Sequence, residues 1–246
     1  MSGHSKWSTI KHKKAKIDAE KGKAFTKLIK EITTAARQGG GDENANPRLR
    51  TAVLAAKAAN MPMLNIDRAI KKGIGELPGV VYEEKIYEGY GPGGVAIMIE
   101  TLTDNTNRTT SDIRHHLTKH QGNLGESGCV SWMFQDKGLI VIQRQDCDED
   151  KLMELVLEAG ADDMTVEEDV FGIVMAPSRF EGIKTVLDKN RIPMASAEIT
   201  TIPKTTIKVE GKQAEQILKL MEALDELDDV QHVYSNFDID ENELEG

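Results

Sequence analysis

The chain has 246 residues, of which 39% are hydrophobic and 4% are aromatic, so it can bury mainly aliphatic cores, and wholesale disorder is excluded. Its two cysteines exclude both a disulfide framework and a cysteine-based zinc site, and they fit a reducing compartment. No apolar run reaches the ~18 residues that a membrane helix needs, and the start has no apolar signal segment, so we expect a cytoplasmic protein without a membrane partner.

The formal net charge of −10 is divided unevenly along the chain. Residues 1–79, the basic head, hold 16 Lys and Arg against 7 Asp and Glu, a balance of +9. Residues 80–246, the acidic body, hold 15 against 34, a balance of −19. This asymmetry indicates nucleic acid or another anionic surface as the partner. Because the acidic body repels a polyanion, we expect contact to be confined to the basic head.

The basic head is predicted to be helical. Six apolar residues recur at the spacing of one helix stripe, which ends at 39–41. They are Phe25, Leu28, Ile29, Ile32, Ala35 and Ala36. A second helix begins near Pro47 with Asn46 as its N-cap, and a third spans 65–72. Residues 1–20 have weak periodicity and dense Lys, so we expect them to form a basic arm.

From residue 80 onward, short β-rich runs alternate with single helices. A strand is predicted over 95–100 and a polar turn over 104–107, with Asn107 or Thr109 capping the helix that follows. A second strand is predicted over 129–134, where apolar residues again predominate.

Residues 136–204 follow the order β-α-β-β-α-β, which is the ferredoxin-like pattern. The predicted elements, in that order, are 139–142, 148–159, 166–168, 171–175, 180–189 and 197–202. A strand over 205–209, a helix over 213–227 and a strand over 230–237 come after them. These last elements supply the closing helix and strand that 80–135 lacks.

The predicted fold class is therefore α+β, with an N-terminal helical domain followed by two ferredoxin-like α/β domains, one inserted in the other. The predicted basic helical domain is 1–79. The predicted discontinuous α/β domain is 80–135 plus 205–246, and the inserted ferredoxin-like domain is 136–204.

The dense lysines at the start give the strongest functional signal, because Lys ammonium groups bind phosphates as point charges and release counterions. Trp7 offers a ring on which a base can stack. The alternative is a solvated helix face with Trp7 packed into the core. The candidate nucleic-acid-binding residues of this segment are Lys6, Trp7, Lys11, His12, Lys13, Lys14, Lys16, Lys21 and Lys23.

A glycine-rich run at 89–94 matches the pattern G-x-G-x-x-G of dinucleotide-binding loops. Such loops precede a helix whose N-terminus holds the pyrophosphate, whereas here a strand pattern follows. Pro92 also removes one amide donor. We therefore predict a tight connection between strands and no cofactor.

A thiol nucleophile with a histidine base is a second candidate chemistry, from Cys129 with His115, His116 and His120. Nothing in their spacing brings them together, and Cys129 lies in an apolar pattern that is typical of a buried, inert thiol. Adjacent histidines point apart on a helix, and the sequence has no zinc-ligand spacing. We predict no catalytic residue, no metal and no small-molecule substrate.

Several motifs together resemble those of one known family. They are the residues at 3–7, 10–14, 69–73, 87–95, 103–105 with 107–109, and 130–134. On these motifs the chain resembles, from end to end, the YebC/PmpR family of bacterial regulatory proteins, which is related to mitochondrial translational activators. The resemblance implies three domains, one helical and two α/β, with one of them discontinuous. The motif at 69–73 adds Lys71 and Lys72 to the candidate nucleic-acid-binding residues.

The resemblance implies a cytoplasmic, DNA-binding transcriptional regulator. The mitochondrial branch, and a ribosome-centred view of the bacterial members, imply a role in translation, including passage through proline-rich stretches. Met63 and Leu64 depart from the family, which usually has polar or charged residues there, and Cys129 stands where a small residue is usual.

We therefore predict a non-enzymatic, nucleic-acid-binding regulator of gene expression. DNA-binding transcriptional regulation is the first assignment, and a ribosome- or RNA-associated translation factor is the alternative. The residues leave this choice open, because lysine binds the phosphates of DNA and RNA alike.

Overall fold

The computed structural model describes residues 21–167 and 169–239, with the side chain of Lys21 excepted. Within these residues the chain forms an α+β fold of seven α-helices and ten strands, with helices first and three sheets after them.

The elements follow one another in this order. The helices are α1 (Lys21–Gly39), α2 (Pro47–Ala58), α3 (Met63–Gly73), α4 (Thr106–Lys119), α5 (Glu149–Glu158), α6 (Phe180–Lys189) and α7 (Gly211–Asp225). The strands are β1 (Glu83–Tyr90), β2 (Ala96–Thr103), β3 (Asn123–Leu124), β4 (Phe134–Gln143), β5 (Asp163–Val166), β6 (Val170–Met175), β7 (Ser196–Pro203), β8 (Ile207–Lys208), β9 (Val230–Ser235) and β10 (Phe237–Asp238).

The chain divides into two compact units. The described part of the first unit is 21–130 with 210–233, and that of the second unit is 131–209 with 234–239. The helices of the basic head therefore share one unit with the first sheet. The three-domain division stays a prediction.

The three predicted helices of the basic head are confirmed as α1, α2 and α3. Asn46 caps α2, since its Oδ1 accepts the N–H of Leu49 at 3.1 Å. Its Nδ2 donates to the carbonyls of Ala35 and Gly40 at 2.8 and 2.9 Å, which fastens the start of α2 to the end of α1. The aliphatic core between the helices is made chiefly by Ile32, Ala35, Leu49, Val53, Ile66 and Ala69.

The sheet of the first unit has the strand order β3-β1-β2-β9. Because β9 lies beside β2, the last part of the chain completes a sheet that the middle of the chain begins, as predicted. The run 89–94 joins the antiparallel strands β1 and β2, with Gly93 at φ +73° and Gly94 at φ +76°. The expected tight connection is confirmed, and its positive φ values favour glycine.

The second unit carries an antiparallel sheet of order β5-β6-β4-β7, with α5 and α6 as the crossover helices. This is the ferredoxin-like connectivity that the sequence predicted. Its core, between sheet and helices, is made chiefly by Ile140, Ile142, Leu152, Val156, Phe171, Ile173, Ile183 and Leu187.

The strand predicted over 129–134 was wrong. The carboxylate of Glu88 accepts the N–H groups of Gly128 and Val130, both at 2.7 Å, so these amides face a side chain and not a neighbouring strand. A short 3₁₀ turn follows, Trp132 is 67% exposed, and the strand begins only at Phe134.

The ends of other elements also differ from the prediction. The first strand of the second hairpin lies at Asp163–Val166, earlier than the predicted 166–168. The single strand predicted over 230–237 is two strands, because β10 pairs in parallel with β8 in a separate two-stranded sheet.

The predicted caps of α4, Asn107 and Thr109, were also wrong. The N-cap is Asn105, whose Oδ1 accepts the N–H of Arg108 at 3.1 Å. Thr109 lies one turn into the helix and is buried, with its hydroxyl engaged elsewhere. Asn107 is exposed in the first turn.

The free energy of unfolding should depend on the cap residue Asn105, and Asn107 offers a matched control. Asn105→Ala removes the capping hydrogen bond and should lower the free energy of unfolding by about 1 kcal/mol. Asn107→Ala removes the same amide group from a position without a capping role, and should change it by no more than about 0.5 kcal/mol. Urea denaturation followed by circular dichroism measures both. Equal losses in the two variants would contradict Asn105 as the cap.

Candidate nucleic-acid interface

Three lysines of α1 recur at i, i+4 and i+7 and are used inside the first unit. The Nζ of Lys27 donates to the carbonyl of Asp225 at 2.6 Å and lies 3.3 Å from its carboxylate. Lys23, which the sequence proposed as a nucleic-acid contact, lies 3.8 Å from the carboxylate of Glu226, and both side chains are mostly exposed. The innermost of the three, Lys30, is 7% exposed.

Lys30 and Asp229 form a buried ion pair. The Nζ of Lys30 lies 2.6 Å from Oδ1 of Asp229, and each of these residues is 7% exposed. The same ammonium donates to the carbonyls of Asp228 at 2.8 Å and Leu102 at 3.4 Å. All three ammonium protons therefore have an acceptor, which is the condition under which a buried charge is tolerated.

The other oxygen of Asp229 joins the start of α4 to the same centre. Its Oδ2 accepts the hydroxyl of Thr109 at 2.7 Å and the Nη2 of Arg108 at 2.7 Å, and lies 3.3 Å from Oγ1 of Thr103. Arg108 also donates to the carboxylate of Asp104 at 2.7 Å. One carboxylate thus connects α1, β2 and α4 to the segment between α7 and β9.

The titration of Asp229 follows from these contacts. Burial raises the pKa of a carboxyl, but the hydrogen bonds from Lys30, Arg108 and Thr109 outweigh it and lower the pKa of Asp229 to about 2. In return, the hydrogen bonds to Asp229 and Asp104 raise the pKa of the Arg108 guanidinium. Asp229 and Arg108 therefore stay ionised at neutral pH.

A cleft of about 560 Å³ opens beside this centre in the first unit. It is lined by Lys23, Thr26, Lys30, Tyr82, Asp104, Arg108, Thr109, Asp112, Glu226, Leu227, Asp228 and Asp229. Five of these residues are acidic and three are basic. The acidic lining residues outnumber the basic ones, so the cleft repels a phosphate.

Other basic residues of the helices are also engaged. Arg48 forms ion pairs with Glu31 and Glu84, which raise the pKa of its guanidinium. Lys57 lies 3.7 Å from the carboxylate of Glu43. Arg50 donates to backbone carbonyls of the loop before α2.

Four basic side chains between residues 22 and 79 have no ion pair or hydrogen bond with any part of the chain that the structure describes. They are Arg37, Arg68, Lys71 and Lys72. Lys71 and Lys72 were predicted as contact residues, whereas Arg37 and Arg68 were missed. Neither arginine has an acidic residue three or four positions away, but Lys30, Arg48 and Arg50 have none there either, so this spacing could not have identified the two arginines.

The structure places the remaining predicted contacts as follows. Lys6, Trp7, Lys11, His12, Lys13, Lys14 and Lys16 lie outside the described residues, as does the side chain of Lys21. Lys23 is in the first turn of α1, whereas α3 ends against Arg37 in the last turn. At 1.5 Å per residue these positions on α1 are about 21 Å apart. Lys23 and the pair Lys71 and Lys72 are therefore not brought together.

The thiol of Cys129, a candidate nucleophile in the sequence, does not lie in an environment that would activate it. Burial, and secondarily the charge of Glu88, raise the pKa of Cys129, so little thiolate forms at neutral pH. Burial also lowers the pKa of His116 and His120, with neighbouring cations adding to the effect.

Neither a metal-binding cluster nor a membrane-spanning helix occurs among the described residues. No group of three or more His, Cys, Asp and Glu side chains in this part of the chain is arranged to hold a metal ion. No described helix is both long and apolar enough to cross a bilayer.

The similarity of the chain to known proteins extends over nearly its whole length. Residues 5–76 match the TACO1/YebC protein N-terminal domain, and residues 82–237 match the TACO1/YebC second and third domain. The chain belongs to the TACO1/YebC family. The two matches together cover the basic head and nearly all of the acidic body.

Relatives of this TACO1/YebC chain are similar over their whole length. One from Geobacter sulfurreducens, named a probable transcriptional regulatory protein, is 60% identical over 100% of this chain and 99% of its own. One from Desulforapulum autotrophicum, with the same description, is 60% identical over 97% of each. The crystal structure of a conserved hypothetical protein from Aquifex aeolicus, 51% identical, superposes with a TM-score of 0.84 over 96% of this chain and 98% of its own.

The Asp229 centre gives a pH-dependent prediction. Asp229→Asn in this TACO1/YebC chain removes the charge that compensates Lys30, and should lower the free energy of unfolding at pH 7 by about 2–4 kcal/mol. Since the pKa of Asp229 is about 2 when folded and ~3.9 in an unfolded chain, this contribution is full above about pH 5 and is lost as pH falls toward 2.

The measurement compares denaturation midpoints of wild type and variant at pH 7, 5 and 3. The difference between them should be largest at pH 7 and smaller at pH 3. Asp112→Asn is the matched control, because Asp112 lines the same cleft and makes no ion pair among the described residues. A difference that is independent of pH for Asp229→Asn would contradict the ionised centre.

Proposed function

We propose that the chain is a non-enzymatic, nucleic-acid-binding regulator of gene expression, and first a DNA-binding transcriptional regulator that contacts phosphates through its basic head. Two relatives that cover almost its whole length are named probable transcriptional regulatory proteins. The observation that carries the proposal is the division of charge, +9 in residues 1–79 against −19 in the rest. A regulator of this kind acts in the cytoplasm.

The pairing of charges in the first unit supports contact through the head. Acidic residues of the body neutralise the lysines of α1 that face them, whereas the cations at the far end of the helices have no such partner among the described residues. A polyanion is therefore attracted to one part of the surface and repelled by the rest.

A translation factor that binds RNA or the ribosome is the second candidate. Lysine supplies 12 of the 16 basic residues of the head. Lysine binds phosphate as a point charge, whereas sequence-specific readers use Arg, Asn and Gln on base edges. This composition favours a partner that is recognised through its backbone.

We also propose the three-domain division of the sequence, with domains at 1–79, at 80–135 plus 205–246, and at 136–204. The boundary between the two family matches, at 76 and 82, supports the first of these limits. The compact second unit, which holds 131–209, supports the inserted domain.

The test neutralises four lysines of the basic arm to Gln, namely Lys11, Lys13, Lys14 and Lys16. Removing one phosphate contact should flatten the slope of log K against log salt by ~0.9 on duplex DNA or ~0.7 on single strands. The slope should therefore fall by roughly 2–4 units, and by similar amounts on unrelated sequences, because phosphate contacts carry no base information.

The salt titration uses two unrelated DNA duplexes and one structured RNA. A control variant removes the same charge from exposed lysines of the acidic body, namely Lys119, Lys151, Lys189 and Lys212. The control should keep the wild-type slope. An unchanged slope for the arm variant on all three ligands would overturn phosphate binding by the arm, and a slope that flattens on the RNA alone would favour the translation factor.

A further inference from the structure

The crossing of α1 and α3 depends on a glycine. A Cβ on Gly73 would lie 2.5 Å from the carbonyl oxygen of Thr33, 2.6 Å from Cβ of Ala36 and 3.2 Å from the N of Arg37. The two shortest of these distances are shorter than the contacts that Cβ atoms make in proteins, so only glycine allows the two helices to approach this closely. The hydroxyl of Thr33 also donates to the carbonyl of Ala69, one turn earlier in α3.

The same crossing decides which side of α3 meets solvent. Ile66, Ala69 and Gly73 are buried against the other helices. Because a helix turns 100° per residue, Arg68 and Lys71 fall on the opposite side, and both are exposed. Lys72 lies at the edge of that side and is partly covered, since its methylene carbons pack beside Gly79.

Arg37 comes to this place from the other helix. It is exposed in the last turn of α1, and its backbone lies against Gly73, the residue after Lys72. Two helices therefore deliver cations to one crossing: Arg37 from α1, and Arg68, Lys71 and Lys72 from α3. Asp67 is the one acidic residue of α3, and it forms no ion pair with the described chain.

These four cations have no ion pair among the described residues, whereas the other described basic side chains of α1 and α2 have intramolecular partners. Arg48, Arg50 and Lys57 have partners in the same group of helices, and Lys23, Lys27 and Lys30 are paired with the segment at 225–229. The cationic side chains at the crossing donate to no other residue that the structure describes, so their donors are available to a partner from outside. Arginine adds a planar fork that holds two oxygens of one phosphate.

We propose that Arg37, Arg68, Lys71 and Lys72 form a phosphate-binding site, the crossing patch, which contacts the backbone of the nucleic acid. The inference rests on the proposed function and deepens it. It assigns a contact to Arg37 and Arg68, and it locates a phosphate-binding surface at the C-terminal end of α1. The shared ligand chemistry is the phosphodiester, from DNA or from RNA.

The test compares two double variants of the full chain with the same change in net charge. Arg37→Gln with Arg68→Gln removes two cations of the crossing patch. Arg50→Gln with Lys57→Gln removes two cations that already have intramolecular partners. Fluorescence anisotropy measures the affinity of each variant for a DNA duplex and an RNA hairpin between about 50 and 200 mM salt.

Loss of two phosphate contacts should flatten the salt slope by roughly 1–2 units on duplex DNA. The fall in affinity over that salt range should then be about 4- to 16-fold smaller than in wild type. The Arg50 and Lys57 variant should keep the wild-type slope. Circular dichroism should be the same for both, because none of these side chains is in the core.

The outcomes distinguish failure of the crossing patch from failure of the proposed function. Equal slopes for the two double variants and wild type would overturn the crossing patch while leaving the proposed function intact. Equal flattening in both variants would also overturn it, because net charge alone would then explain the effect. Absence of binding by wild type on both ligands would overturn the proposed function itself.

Discussion

The buried pair of Lys30 and Asp229 is the interaction on which the first unit depends. Asp229 is held by a lysine of α1, by Arg108 and Thr109 of α4, and by Thr103 at the end of β2. A buried charge pair contributes little more stability than hydrophobic residues of similar volume would in its place. Loss of one member is nevertheless costly, because the other charge stays buried and unpaired. The arrangement therefore specifies position: α1 can dock at this place only when its lysine meets Asp229.

The same pairing shapes the surface that an anionic partner meets. A lysine-rich helix would attract polyanions along its length, yet carboxylates at 225–229 neutralise the stripe of Lys23, Lys27 and Lys30. Among the described cations of the head, those without a partner lie at the crossing of α1 with α3. The acidic body thus acts within the structure as a counter-charge and toward nucleic acid as a repulsive surface. Under the proposed function, both effects direct contact to the head.

Local patterns in the sequence were enough to predict the helices. The stripe from Phe25 to Ala36, the cap at Asn46 and the bounds of α6 follow from residues within a few positions of one another. The prediction of a strand at 129–134 was wrong because Glu88, 42 positions before Val130, accepts the N–H of Val130 within that segment. Likewise, nothing near Lys30 in the sequence distinguishes it from Lys71. Lys30 is buried beside a carboxylate 199 positions away, whereas Lys71 is exposed to solvent. Only the tertiary structure therefore distinguishes a lysine paired inside the fold from one that can bind a partner.

That separation of 199 positions also has a consequence during synthesis. Protein synthesis adds roughly 5–20 residues per second, so Lys30 precedes Asp229 by about 10–40 s. Throughout that interval β2 lacks its neighbour β9, and the lysine stripe of α1 lacks its carboxylates. Lys23, Lys27 and Lys30 therefore stay without these partners until residues 225–229 have been made. Completion of the final helix and strands neutralises that stripe, closes the sheet and leaves the mature distribution of charge.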